Sequence, residues 1–305
     1  MILLLACAEE APVTAAPTGP IVAERPWPTT IAEAPAPAGA SWQTLRHANV
    51  HARLLVPDGA EISESDSLDE DDVPWIRVTF RALTAELTYA PTAAWYVAEA
   101  PATARRTPDS VAWQTEQADG GLKVTAYARG VKCVASLGAF DRAWLEQAYQ
   151  LCASVRPPPL GAWAAAPGRS STRVPDGAWV EPRRGEMLGD SLLGPYAPRL
   201  YAGWFGIAHA HCAEPATLGV AEGAEGTVTV TRRDTAGGPA YVRSARATRK
   251  GVTFDAGVRI VAPRGDGCCV AEVFPLVGVP SGAELDYVVA LCDTTQGAGP
   301  DDGAR

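Results

Sequence analysis

The tetrapeptide His209-Ala210-His211-Cys212 is the densest group of metal-ligating residue types in the chain. On a strand, His209 and His211 would project from one face and Cys212 from the other. A zinc or copper site needs three or four such ligands, usually drawn from more than one element. The other two histidines, His47 and His51, lie far away in sequence. Two ordinary strand histidines account for the pattern, so no metal and no cofactor is expected. His209 and His211 are kept as the centre of an alternative reading, a periplasmic or surface metal-handling protein or hydrolase.

No catalytic residue can be assigned. A nucleophilic enzyme needs Ser or Cys within hydrogen-bond reach of a base, and no Gly-x-Ser-x-Gly turn, phosphate-binding loop or Cys-x-x-Cys pair occurs. Seven carboxylates fall between Glu61 and Asp72. Calcium would need them gathered by a tight loop with Gly at its turn, and this run has none, so it reads as a solvated acidic loop. Arg232, Arg233, Arg243, Arg246, Arg249 and Lys250 form a local basic cluster, fit for an anionic partner or glycan but equally for solvated strand faces. Arg264-Gly265-Asp266 sits in a turn-rich segment beside Pro263 and Gly267 and carries no argument.

The elements that would position these residues come in two copies. Val56-Pro57-Asp58-Gly59-Ala60 recurs as Val174-Pro175-Asp176-Gly177-Ala178, Cys133-Val134-Ala135 as Cys269-Val270-Ala271, and Leu151-Cys152 as Leu291-Cys292. Pro-Asp-Gly alone is a common turn. The helices after the Cys-Val-Ala elements strengthen the case. Leu145, Ala148, Tyr149 and Cys152 form an i, i+3, i+4, i+7 stripe behind a possible Asp141 cap, and Leu285, Val288, Val289 and Cys292 repeat it behind a Ser281…Glu284 capping box. Between turn and helix each copy alternates as strands do.

The expected architecture is α+β, with two tandem related domains, each an antiparallel sheet carrying a C-terminal helix packed on it. Boundaries fall at 41–157 and 169–296, with a linker at 158–168 after Pro157-Pro158-Pro159 and a tail at 297–305. The order of elements, a Pro-Asp-Gly turn early and an amphipathic helix last, resembles the PsbP-like fold. Residues 8–40 are rich in Ala and Pro and read as an extended tether. Hydrophobic residues at 47 % with nine Trp suffice for real cores, and a formal charge of −9 argues against nucleic acid as a partner.

Leu4-Leu5-Ala6-Cys7 resembles the lipobox of bacterial lipoproteins. The resemblance implies lipidation at Cys7, a membrane partner through the acyl chains, and the bacterial cell envelope as the address. Ala8 after the Cys implies the outer membrane, facing the periplasm or the cell surface. The apolar run Ile2 to Ala6 is shorter than an ordinary signal segment and no Lys or Arg precedes it.

With Cys7 lipidated, six cysteines remain for an oxidising compartment. Cys133 shares a strand face with Val131, Ala135 and Leu137, and Cys152 lies on the stripe of the helix that should cover that face. This predicts Cys133–Cys152 and, by the repeat, Cys269–Cys292. Cys268 points the opposite way from Cys269, which leaves Cys212–Cys268, with a vicinal Cys268–Cys269 bridge as the rival. The functional expectation is a non-catalytic envelope lipoprotein acting as a binding or interaction module for an envelope protein or glycan. Its partner surface would be the sheet faces left uncovered by the helices.

Overall fold

The computed structural model describes residues 28, 33–47, 50–65, 74–90, 93–107, 110–160, 163–166, 169–175, 179–181, 199–201, 205–210, 225–235, 237–264, 267–273 and 280–294. Strands β1 (Ala40–His47) and β2 (Val50–Pro57) pair antiparallel as a ribbon, Ala40 opposite Pro57. Then come β3 (Glu61–Glu64), β4 (Trp75–Phe80), β5 (Leu83–Tyr89), helix α1 (Ala93–Glu99), β6 (Arg105–Arg106), β7 (Ser110–Glu116), β8 (Leu122–Ala128) and β9 (Val131–Leu137). A 3-10 turn at Arg142–Trp144 leads into α2 (Leu145–Ala153). The seven strands β3 to β9 form one antiparallel sheet in the order β3-β4-β5-β9-β8-β7-β6.

Period-two alternation decides which side of this sheet is dry. Leu83, Ala85 and Leu87 of β5 and Cys133, Ala135 and Leu137 of β9 are buried together with Ala52, Leu54 and Val56 of β2 and with Leu151 and Cys152 of α2. Ribbon and helix thus cover the same sheet face side by side, each buried Leu or Val adding roughly 1.5–3 kcal/mol. The β8–β9 hairpin closes at Arg129-Gly130 with Gly130 at φ 67°, a left-handed conformation that glycine adopts without steric cost. Arg53 of β2 exchanges both backbone hydrogen bonds with Arg156, 2.8 and 2.9 Å, so the chain leaving α2 lies against β2.

The second half retraces the same path. β10 (Trp163–Ala166) and β11 (Arg169–Pro175) pair as a ribbon, and β12 (Trp179–Glu181), β13 (Arg199–Tyr201), β14 (Phe205–Ala210), β15 (Glu225–Thr235), β16 (Gly238–Arg249), β17 (Val252–Arg264) and β18 (Gly267–Val273) precede helix α3 (Gly282–Thr294). The sheet order is β12-β13-β14-β18-β17-β16-β15, the first sheet's order strand for strand. Registers agree too, since Cys133 faces Ala126 and Cys269 faces Ala262. The capping box forms as its residues demand: the Glu284 N–H donates to Ser281 Oγ at 3.2 Å, and the Ser281 N–H to the Glu284 carboxylate at 2.7 Å. Asp141 makes no such cap, because the chain enters α2 through the 3-10 turn.

The α+β expectation is corrected. Among the described residues strand far outweighs helix, and several antiparallel sheets stand against three α-helices, so the protein is predominantly β. Alternation between turn and helix accounts for the central strands only. The short strands β3, β6, β12 and β13 carry too few residues each to show a period, yet they complete both seven-stranded sheets, and the two ribbons add further strands outside them. The helices are 7, 9 and 13 residues long, too short to form a layer of their own.

Candidate functional site

Each sheet is bolted to the helix that follows it. Cys133 on β9 is bonded to Cys152 on α2, and Cys269 on β18 to Cys292 on α3, with Cα–Cα distances of 5.4 and 5.7 Å. All four are fully buried. Cys268 is also disulfide-bonded, and because Cys269 is taken by Cys292 its partner is not its neighbour. Cys212 and Cys7 lie outside the described residues, as does His211. His209 lies opposite Cys269 in the β14–β18 ladder, the register position that Leu87 holds opposite Cys133. Among the described residues no group of three or more His, Cys, Asp or Glu is placed to hold a metal ion.

A polar constellation invisible in the sequence joins β1 to the β3–β4 turn. His47 Nε2 lies 2.9 Å from Ser65 Oγ, and its Nδ1 lies 3.1 Å from a Glu64 carboxylate oxygen. The order hydroxyl, imidazole, carboxylate is that of an activated nucleophile. Here it works as a clasp. The Trp75 N–H donates to Ser65 Oγ at 3.2 Å while the Ser65 N–H donates to the Trp75 carbonyl, and Ser65 is only 7 % exposed. Eighteen residues separate His47 from Ser65 and no spacing rule connects them.

The start of the folded body is another feature that composition concealed. Glu33, within the Ala/Pro-rich stretch, accepts hydrogen bonds from Arg53, and Ala34 accepts one from Trp42 Nε1 at 2.9 Å. The Arg53 guanidinium holds the Glu33 carboxyl below its usual value, against a smaller opposing effect of burial. Arg156 stacks 4.1 Å over the Trp42 ring.

The outer sheet faces are less open than the sequence implies. In the first sheet α1 covers β7 and β8: Val97, Val111 and Tyr127 are buried together, and Tyr96 stacks on Tyr127 at 5.0 Å. Burial raises the Tyr127 phenol far above its ordinary range. The same helix packs on β17 of the second sheet. The basic cluster is largely spent. Arg232 pairs with Asp234 at 2.8 Å and Arg233 with Asp286 at 2.6 Å, while Arg243 is 6 % exposed and lies opposite Arg259, itself bonded to Glu272.

What stays open is a sheet edge. Among the described residues β15 is the outermost strand of the second sheet, eleven residues long, and residues 226–232 are exposed throughout, including Val228 at 38 % and Val230 at 44 %. At the same place in the first sheet stands β6, two arginines long, with Arg105 engaged by Glu146 at 3.2 Å and lying 4.0 Å over the Tyr149 ring. Short, charged edges are how β proteins prevent unwanted pairing. One copy has this protection; the other has a long strand of alternating Thr and Val. Against family models, curated proteins and solved structures alike, the chain finds no match.

Proposed function

We propose that the protein is a non-catalytic lipoprotein of the bacterial envelope, anchored by acyl chains on Cys7, whose folded body is an interaction module acting through the edge of β15. The observation that carries this reading is the contrast between corresponding edges: two arginines in the first sheet, and in the second an eleven-residue strand whose residues 226–232 are all exposed. An exposed strand edge presents a row of backbone donors and acceptors and accepts a further strand by β-augmentation. Disulfides across both cores support an oxidising compartment, and Leu4-Leu5-Ala6-Cys7 supports the anchor. Cys212 is the partner proposed for Cys268.

The test is a photo-crosslinking amino acid placed at Val228 or at Arg105 in the full chain and irradiated in intact cells. Adducts should form from Val228 and not from Arg105. Equal yields at both sites would remove β15 as the interaction edge.

A further inference from the structure

We infer that Arg243 anchors a ligand site on the outer face of the second sheet, and that its ligand is an aliphatic monocarboxylate. The site uses the face of β15 and β16 and not the edge of β15, so it stands apart from the strand-addition reading.

Ladder pairing sets Val230, Arg243, Arg259 and Glu272 side by side across β15, β16, β17 and β18. Their chain neighbours Val242, Ile260 and Ala271 are buried with Val288 of α3, so period-two alternation turns the row to the opposite face. The row holds two guanidinium groups and one carboxylate. Glu272 is bonded to Arg259, and among the described residues no carboxylate is left for Arg243, whose Nε is buried without a hydrogen-bond partner. A guanidinium keeps its charge inside a protein, and a buried charge without a counter-charge is costly. Burial first, and the charge of Arg259 second, work against the charged form of Arg243. One bound anion relieves both effects.

The surroundings select among anions. The excess in the row is a single positive charge, which one carboxylate balances, whereas a doubly charged phosphate exceeds it and meets the like charge of Glu272. A carboxylate also engages a guanidinium through two parallel N–H···O bonds. Val230, directly opposite Arg243, and Val228, two residues along the same face, are exposed apolar side chains that an alkyl chain would cover. Val230, Arg259 and Glu272 are each partly open, so the guanidinium can be reached from solvent.

The test is calorimetric titration of the full chain with hexanoate, acetate and phosphate at one ionic strength. Hexanoate should bind saturably at one site per chain. Each added methylene should tighten binding by at most roughly four-fold, so hexanoate should exceed acetate, and both should exceed phosphate. Arg243→Gln should weaken hexanoate binding roughly ten- to a hundred-fold. Arg246→Gln, at an exposed arginine of the same strand, should bind as the parent does. Glu272→Gln frees Arg259 to share the ligand and should tighten binding. No saturable binding of hexanoate, undiminished binding by Arg243→Gln, or tighter binding of phosphate than of hexanoate overturns the assignment. A native near-ultraviolet spectrum shows that Arg243→Gln retains the fold. Should that variant fail to fold, the order of the three anions on the parent chain still decides.

Discussion

Arg129 and Glu284 are 155 residues apart in the chain, and their side chains meet at 3.1 Å where the β8–β9 turn of the first sheet reaches the first turn of α3. Glu284 is nearly buried, and the same carboxylate closes the capping box. One residue thus serves a local function, starting a helix, and a long-range one, docking the two halves. Removing one partner of a buried pair leaves the other charge uncompensated. Glu284→Ala should cost roughly 3 kcal/mol in urea unfolding. Arg129→Ala should cost less, because Glu284 keeps the Ser281 N–H. A double-mutant cycle with coupling near zero would show that the halves are not joined here.

The disulfides close loops with sequence separations of 19 and 23 residues. By the chain-entropy argument each stabilises its own unit by roughly 3 kcal/mol. Cys152→Ala with Cys133→Ala should therefore lower the unfolding midpoint, and peptide mapping without reductant should recover each bridge in a separate fragment. Free thiols at Cys133 and Cys292 would contradict both structure and compartment.

Acid should loosen the start of the folded body first. Glu33 has a folded value depressed below 4.5 by Arg53, so its contribution is complete above that pH and is lost as pH falls through the folded value. For a pair this near the surface the contribution is on the order of 1 kcal/mol. Glu33→Gln should be less stable than the parent at pH 7, and the difference should shrink as pH falls through the depressed folded value. A difference independent of pH would show that the ion pair contributes nothing.

The His47 clasp gives a prediction with a chemical readout. His47→Ala removes one of the two hydrogen-bond partners of the Ser65 hydroxyl, which keeps the Trp75 N–H, and should cost about 1 kcal/mol. A fluorophosphonate probe, which labels activated serines, should leave Ser65 unmodified in the native chain. Stoichiometric labelling that disappears in His47→Ala would turn the clasp into a catalytic site.

Fatty-acid labelling checks the address. The full precursor should incorporate a palmitate analogue at Cys7, and Cys7→Ala should leave the membrane fraction. Retention of the unlabelled variant in membranes would remove the anchor.

The repeated elements, the strand faces that carry Cys133 and Cys269, and the Ser281…Glu284 cap were all legible in the sequence, because each depends on neighbours within a few residues. Alternation tells a strand which side is dry, and a capping box needs only four positions. The predominantly β class was not legible. Strands as short as β6 and β12 exist only because a partner supplies their hydrogen bonds, and the pairing energy belongs to the ladder and not to the segment. The same reason hid the clasp of His47 with Ser65, the docking of Glu33 on Arg53 and the burial of the outer sheet face by α1. It also hid the contrast between the edges. Thr227 to Thr231 shows plain alternation in the sequence, and only the sheet order reveals that β16 occupies one side of it and that, among the described residues, no strand lies on the other.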